Sequence, residues 1–416
     1  WTAAPVRCFR LARCRAAGTG PQLVVLPTAE IIDTVRQGLI PVDIAEDRPA
    51  DALADAASLP LDVENGVPIG IRLLRLRSDV HILVLVIHHL SFDGQSMAPL
   101  ARDVLTAYAA RRDGTAPELP EPTVRYVDYA RWRNALLGTP AARTDEFRRQ
   151  LAYWAGIFGD GGTGATPAPA LPTDRPRPDV WDADGATVRF TIGTDLHNAI
   201  DRYARDRSVG VFAVLQAAFA IVLADLGGNP DVRVATSSGN RAHPALAGVV
   251  GNFAEDVPMR LDAGDARRFT DLVRDVRDQL LGGLAHPDIS IFDLIDACGL
   301  TRIPGGSVGN PFFSSTLILQ HADLGDAALL QLDLGGVRVA REEIPKITAK
   351  HDLEFTLLEL RDNELPAGIE GTIIYPVALF DRPTVDDAAR RLLAVLEAAV
   401  AGDVPDSTVA RLRSLL

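Results

Sequence analysis

The segment 159–179 (GDGGTGATPAPALPTDRPRPD) is richer in glycine and proline than the sequence on either side. Such a composition is typical of a linker, because neither residue extends a helix or a strand well. Patterns of both helices and strands precede this segment and begin again after it. The sequence therefore predicts two α/β lobes, residues 1–158 and 183–416, joined by a linker over residues 159–182.

Apolar periodicity places strands and helices within each lobe. Residues 71–76 and 81–88 are predicted as two strands joined by a turn, and the second (HILVLVIH) is apolar at successive positions. Such a run is typical of a strand buried on both faces, so we expect it inside a sheet. A helix capped by Ser96 should follow Gly94. Later strands are predicted at 187–192, 232–237, 313–320, 353–360 and 371–375, a helix-rich region at 126–158, and helices at 195–207, 211–225, 269–284 and 385–401.

Composition excludes several classes of protein. The 416 residues are 47% hydrophobic, which suffices for a large core. The net charge of -13 disfavours binding to nucleic acid or to an anionic membrane. Cys8, Cys14 and Cys298 show the spacing of neither a disulfide framework nor a zinc site, which indicates a cytoplasmic protein. The histidines outside residues 88–89 form no ligand-like cluster in the sequence, so no metal site is predicted.

The candidate chemistry is concentrated between His88 and Gly94 (HHLSFDG). Imidazole titrates near neutrality and can exchange a proton or hold a nucleophile. Asp93 can turn back toward the imidazoles or pair with a distant arginine, and Gly94 permits a backbone angle that other residues resist. An isolated histidine pair is more often structural, so the surrounding sequence decides between the two interpretations.

This segment resembles the HHxxxDG signature of condensation domains of non-ribosomal peptide synthetases, which belong to the chloramphenicol acetyltransferase-like superfamily. Seven further segments are similar to that family and occur in its order: YVDYARWR at 126–133, with Arg133 where glutamine is usual, QLAYW at 150–154, LPTDRPRP at 171–178, VGNFAEDVPMR at 250–260, AHPDISIF at 285–292, NPFFSSTLILQ at 310–320 and AKHDL at 349–353. The family's opening RHExLRTxF segment is not found. Residues 1–18 are therefore interpreted as a cut end, and the first lobe is expected to be truncated at its N-terminus.

The resemblance implies two chloramphenicol acetyltransferase-like lobes in a V-shaped pseudo-dimer with a tunnel between them. The implied activity is that of an acyltransferase that forms an amide bond. A donor acyl or peptidyl thioester is joined to the amine of an acceptor aminoacyl thioester. The implied partners are upstream and downstream peptidyl carrier domains and a neighbouring adenylation domain. Both substrates arrive on phosphopantetheine arms, so no cofactor is expected to be bound permanently.

The resemblance also implies roles for individual residues. His89 is the catalytic residue, which positions or deprotonates the acceptor amine. His88, Asp93 and Gly94 shape the loop, with Asp93 expected in an ion pair whose arginine the sequence does not identify. Asn252, Glu255 and Asp256 are assigned to the tunnel wall or to substrate selection.

Glu255 and Asp256 depart from the family, which usually has asparagine and threonine at these positions. Our hypothesis from the sequence is that the two carboxylates together select an acceptor with an additional positive charge.

Two other functions stay open at this point. One is a stand-alone acyltransferase of the same superfamily, which would esterify a hydroxyl with a free acyl thioester. The other is a condensation-like docking domain without catalytic activity, which the departure at residues 255–256 favours. Residues 95–111 (QSMAPLARDVLTAYAAR) resemble condensation domains that accept a D-configured donor.

Overall fold

The structure is a computed structural model of the chain. It describes residues 12–17, 20–159, 167–300, 310–321, 337–339, 344, 347–401 and 407–416, with side chains from residue 24 onward. Most of the expected cut end at residues 1–18 therefore lies outside the described residues.

The chain divides into two compact units. The first comprises Trp1–Trp132, Arg241–Ala254 and Asp323–Lys346, and the second comprises Arg133–Asn240, Glu255–Ala322 and Ile347–Leu416. The lobe boundary at residue 158 stays a prediction from the sequence, whereas residue contacts group residues 133–158 with the second unit.

The first unit contains strands and helices in alternation. Its described elements are β1 (Ala12–Ala17), β2 (Gly20–Val25), α1 (Thr28–Gly38), β3 (Pro41–Asp43), α2 (Pro49–Ala57), β4 (Ile69–Arg77), β5 (Val80–Ile87), α3 (Met97–Arg112) and the start of α4 (Tyr126–Leu137). Strands β1 and β2 pair in antiparallel orientation. Among the described residues, the other sheet has the order β3-β4-β5, in which β3 is parallel and β5 antiparallel to β4.

The predicted hairpin of β4 and β5 is confirmed, but the expected burial of β5 on both faces is wrong. Leu83 is 43% exposed and Leu85 is 36% exposed, whereas Val84 between them is 6% exposed. Val84 packs with Leu53 of α2 in a small core cluster. Among the described strands β5 pairs with β4 alone, so it lies at a sheet edge. An unbroken apolar run does not distinguish an edge strand from a central one.

The second unit is a large mixed sheet with helices. Its described elements are β6 (Gly138–Thr139), β7 (Ala142–Arg143), α5 (Asp145–Phe158), β8 (Asp184–Ile192), α6 (Thr194–Asp206), α7 (Val211–Gly227), β9 (Asp231–Ser238), β10 (Glu255–Asp262), α8 (Phe269–Leu284), α9 (Ile291–Ala297), β11 (Ser315–His321), β12 (Ile347–Thr348), β13 (Leu353–Asp362), β14 (Leu365–Pro376), α10 (Arg382–Val400) and α11 (Val409–Arg413). The described strands form a sheet of order β10-β9-β11-β13-β14-β8-β12. Strand β11 is parallel to β9 and β13, and the other pairs are antiparallel.

Helix α7 lies at the centre of the second unit's core. Its sequence is apolar around the whole helix, which is typical of a helix covered on all sides, and every residue from Ala213 to Ala224 is buried. Phe219 contacts Phe355 of β13, with ring centroids 4.5 Å apart. The helix ends at Gly228, whose φ of +60° is readily available to glycine.

No single helix in the described part of the chain is long and apolar enough to span a membrane. One bent pair, α6 with α7, passes by length and composition only, and α7 is the core helix described above.

The described part of the predicted linker is attached to the second unit by polar contacts. Asp174 accepts hydrogen bonds from the backbone N–H of Asp381 (2.7 Å) and the hydroxyl of Thr384 (3.0 Å) at the start of α10. Arg177 donates two hydrogen bonds, of 2.9 and 2.8 Å, to the fully buried carboxylate of Asp352. This linker segment is therefore fixed along the second unit.

Candidate active site

His88 directly follows β5 and fixes the start of the histidine loop. Its backbone N–H donates to the carbonyl of Pro68 (3.0 Å). Its side-chain Nδ1 accepts a hydrogen bond of 3.1 Å from the backbone N–H of Leu90, which begins a short 3-10 turn over His89–Ser91. This hydrogen bond turns the imidazole back onto its own loop. This residue therefore shapes the loop.

His89 is the first residue of that turn, and its side chain is exposed. Its carbonyl accepts a long hydrogen bond of 3.5 Å from the N–H of Phe92. The imidazole can thus be reached by a substrate without opening the fold.

Asp93 is 2% exposed and accepts four hydrogen bonds. Oδ1 accepts from the N–H of Ser96 (2.9 Å), the hydroxyl of Ser96 (2.7 Å) and Nη2 of Arg241 (2.7 Å). Oδ2 accepts from the N–H of Phe253 (2.9 Å). These bonds replace the water that the buried carboxylate has lost. They also join the histidine loop to residues about 150 positions later in the chain.

Arg241 is the arginine that the sequence does not identify. Its side chain is 4% exposed and donates to the carbonyls of Leu246 (2.9 Å) and Val249 (2.6 Å) as well as to Asp93. The guanidinium lies over the ring of Phe253, with 4.0 Å between its central carbon and the ring centroid. Arg241 follows the end of β9 in the segment SSGNRAHP, and the only signal in the sequence is an arginine in a turn-like segment.

Ser96 does not cap α3 as expected, because the structure shows no capping hydrogen bond from its side chain. Its hydroxyl instead donates to Asp93 and lies within hydrogen-bond distance of the N–H and carbonyl of Gly251 (3.1 and 2.9 Å). Asp93 caps a different element, the short 3-10 turn Gly94–Ser96 that precedes α3, by accepting the N–H of Ser96.

The expectation that Gly94 adopts an unusual backbone angle is also wrong. Its φ lies outside the left-handed region, and no described atom is within 4 Å of the position that a Cβ would occupy. The turn is formed by the hydrogen bonds of Asp93 and needs no positive φ.

Asn252 lies beside an aromatic cluster in the first unit. Its carbonyl accepts a hydrogen bond of 2.7 Å from the hydroxyl of Tyr126, and its buried Oδ1 has no hydrogen-bond partner among the described residues. The rings of Tyr126 and Tyr129 pack against Phe253, at centroid distances of 5.1 and 4.7 Å. The YVDYARWR segment thus supplies packing around the loop that receives Asp93.

Glu255 is neutralised within the second unit. Its carboxylate lies 2.6 Å from Nη2 of Arg133, which also donates to the carbonyl of Asp288 (2.9 Å). Burial raises the pKa of Glu255, and the charge and hydrogen bond of Arg133 oppose this change. The two family departures, arginine at 133 and glutamate at 255, therefore form one ion pair.

Asp256 faces away from Glu255, because successive side chains of a strand point to opposite faces. Burial raises the pKa of Asp256 to about 6, and the positive charge of Lys350 opposes this change. The side chain is nevertheless exposed to water, so the carboxylate lies in a crowded but open recess. The hypothesis that Glu255 and Asp256 act together on one substrate charge stays a prediction from the sequence.

The described residues contain no group of three or more histidine, cysteine, aspartate or glutamate side chains arranged to hold a metal ion.

Comparison with known proteins identifies the family. A family model described as condensation domain matches residues 21–415. The chain is 34% identical over 377 residues to a probable non-canonical nonribosomal peptide synthetase, CymA, of Salinispora arenicola (strain CNS-205), covering 90% of this chain but 5% of that protein.

Two solved structures share the fold. The X-domain in complex with OxyB from teicoplanin biosynthesis aligns with a TM-score of 0.85 at 23% identity, over 99% of this chain and 85% of that one. The first condensation domain of the CDA synthetase aligns with a TM-score of 0.67 at 20% identity, over 97% and 87%. The mixed α/β fold predicted from the sequence is confirmed. With the family model matched over nearly its whole length, this chain belongs to the condensation-domain family of non-ribosomal peptide synthetases.

Proposed function

We propose that the chain forms an amide bond between a donor acyl or peptidyl thioester and the amine of an acceptor aminoacyl thioester. The observation that carries this proposal is the histidine loop. His88 and the buried pair of Asp93 and Arg241 hold its backbone, and His89 is left accessible. Burying this ion pair removes two charges from water, and the hydrogen bonds that compensate for it hold the loop in one conformation. Such a loop is suited to holding a reacting side chain in one position.

In the proposed reaction His89 orients the acceptor amine or removes its proton. The amine nitrogen attacks the thioester carbonyl carbon, a carbon–nitrogen bond forms, and the carbon–sulfur bond breaks. The proton lost by the amine passes to the departing thiolate, with His89 as the carrier. Positioning of two tethered reactants supplies much of the rate enhancement in such a reaction.

The proposed partners are an upstream and a downstream peptidyl carrier domain, which deliver both substrates on phosphopantetheine arms, and a neighbouring adenylation domain that loads them. No cofactor is proposed to be bound permanently, and the proposed location is the cytoplasm.

The test uses defined aminoacyl groups on two carriers, and mass spectrometry detects the dipeptidyl thioester. His89→Ala should lower turnover by about 100-fold or more, the usual effect of removing a group that transfers or positions a proton. His81→Ala is the matched control, because His81 is an exposed histidine on the same hairpin. If His89→Ala turned over like the unaltered chain while the condensation step limited the rate, His89 would have no catalytic role.

A second candidate is a docking domain without catalytic activity. The observation behind it is the likeness in fold to the X-domain, whose solved structure is a complex with OxyB. In this case the unaltered chain would form no dipeptide from any loaded pair and would instead bind a partner enzyme. Formation of an ester from a free acyl thioester and a hydroxyl acceptor would support the stand-alone acyltransferase.

A further inference from the structure

A cavity of about 200 Å³ lies between the predicted linker and the rest of the second unit. Linker residues 171–174 form its outer wall. Its inner wall is formed by Leu226 near the end of α7, Leu353 of β13 and residues at the start of α10. All of these residues belong to the second unit, so the cavity is defined by contacts within one compact body.

The inner wall is apolar and is part of the main core. Leu353, Phe380, Val385 and Ala388 are at most 4% exposed, and all four belong to the core cluster around α7. Leu171 of the linker packs against this cluster from the outer side. Protein interiors contain few voids larger than a water molecule. An apolar cavity of this size is therefore a candidate site for a ligand.

The polar side chains in the lining already have hydrogen-bond partners. Asp174 accepts from the N–H of Asp381 and the hydroxyl of Thr384. The hydroxyl of Thr173 donates to the carbonyl of Arg175 (2.7 Å). A charged ligand would lose its water on entering and would have to compete with these bonds. The lining therefore favours a neutral, apolar ligand.

The outer wall is fixed in place, so the linker cannot move into the cavity without breaking several bonds. The N–H groups of Asp174 and Arg175 both donate to the carbonyl of Leu379, at 2.9 and 3.3 Å. Arg175 also donates to the carbonyl of Val377 (3.2 Å) and forms an ion pair with Asp381. An empty cavity destabilises a protein most where its walls cannot relax. A ligand that fills this cavity should therefore stabilise the second unit.

We propose that the cavity binds a small neutral aromatic molecule of about the size of toluene. An engineered apolar cavity of about 150 Å³ in another protein binds benzene, so the larger volume here suits a ring with a small substituent. Phe380 contributes an aromatic ring to the lining, and contacts between aromatic rings are worth more than their buried area alone. Pro172 and Asp174 are exposed, which places the entrance beside the linker.

This inference does not depend on the proposed condensation reaction, because the cavity shares no residue with the histidine loop. Its test is therefore a binding measurement on the full chain, with toluene as the probe and saturation-transfer NMR as the method. Toluene should bind. Benzoate and benzylammonium have a similar ring but carry a charge, and they should bind at least about tenfold more weakly. Equal binding of either charged compound would overturn the assignment to a neutral ligand.

Hydrogen exchange locates the bound molecule. Toluene should slow exchange at the N–H groups of Asp174 and Arg175, because a ligand in the cavity adds contacts that hold the linker in place. Unchanged exchange at these two amides in the presence of bound toluene would place the ligand elsewhere and contradict the proposal.

Ala388→Leu should fill part of the cavity and lower the affinity for toluene by about tenfold or more, since even one methylene in an apolar pocket has an effect of this size. The matched control is Ala394→Leu, which makes the same change six residues later in α10, at a partly exposed residue outside the described lining. This control should bind toluene like the unaltered chain.

Leu171→Ala tests the same site from the linker side, where the residue is only partly buried and the core stays intact. It enlarges the cavity and should raise the affinity for naphthalene relative to toluene by about tenfold. If toluene does not bind the unaltered chain, or binds Ala388→Leu equally well, or if Leu171→Ala does not change the preference between the two rings, the cavity is not a ligand site.

Discussion

Asp93 lies in an environment where a single substitution should lower the stability of the fold considerably. Both it and Arg241 are almost fully buried, and no water is needed to satisfy the carboxylate. Removing one partner leaves the other charge buried and unpaired. The effect should therefore appear in stability before it appears in chemistry.

Asp93→Ala should lower the free energy of unfolding by about 3 to 5 kcal/mol, the usual cost of breaking a buried ion pair. Urea denaturation followed by circular dichroism measures this change. Asp79→Ala is the control, since Asp79 is exposed in the turn of the adjacent hairpin and should change stability by less than about 0.5 kcal/mol. An unaltered melting temperature with lost turnover would instead place Asp93 in the reaction itself.

Gly94→Ala should fold normally, because the residue has no positive φ and the space around its Cα is open to a methyl group. Its melting temperature should be unchanged or slightly raised, since alanine restricts the unfolded chain. Loss of turnover in this well-folded variant would show that substrate approaches the backbone at Gly94. A large loss of stability would contradict the geometry described for this loop.

At the level of elements, the end of β13 contains a buried carboxylate that responds to pH. Burial alone would raise the pKa of Glu359, but hydrogen bonds from His197 (3.0 Å) and Arg361 (2.8 Å), with the charges of Arg361 and His321, lower it to about 2. Glu359 is 2% exposed. Nδ1 of His197 accepts the N–H of Gly368, so its proton is on Nε2, facing Glu359.

A pKa below that of the unfolded chain stabilises the fold when the carboxylate is charged. The contribution of Glu359 should be complete above about pH 4.3 and be lost as the pH falls toward 2, with a size of about 2 to 3 kcal/mol. Glu359→Gln should be less stable at neutral pH and should lose this part of the acid dependence. Melting temperatures between pH 2 and 7 test it, with the exposed Glu364→Gln as the control.

Helices and strands with clear periodicity were predictable from the sequence. Helix α8 spans the predicted residues 269–284, and the predicted strand pair appears as β4 and β5. The exposed face of β5 could not be predicted, because a run of valine and leucine does not show how many neighbours a strand has.

In the candidate site, too, local features were predictable and long-range contacts were not. The histidine loop was identified from seven consecutive residues, and an arginine partner for Asp93 was expected from its charge. Its identity depends on a contact across 148 positions, which local patterns do not encode. The ion pair between Arg133 and Glu255 could not be predicted either, because it also joins distant parts of the sequence. The sequence showed only that each residue departs from the family.

For the whole molecule, the two units differ in how much apolar surface they bury. The second unit has one extensive cluster around α7 and the large sheet, whereas the described residues of the first unit form smaller clusters, such as that of Leu26, Ile69 and Ile71. Local opening requires less free energy where fewer apolar contacts are lost.

Native-state hydrogen exchange should therefore proceed faster at the amides of β4 and β5 than at those of α7 and β13. Mass spectrometry of peptides from each element measures the rates in one sample, so both units share the same pH and temperature. Equal protection in the two units would contradict the link between cluster size and local opening.

The bond between Asp93 and Arg241 also limits how this chain can be recombined with other condensation domains. A chimera joined anywhere between residues 97 and 240 takes its histidine loop from one parent and its arginine from the other. The incoming segment must then supply an arginine at this position and an N–H donor equivalent to that of Phe253. Crossovers placed before residue 88 or after residue 253 inherit all of these contacts from a single parent and avoid this mismatch.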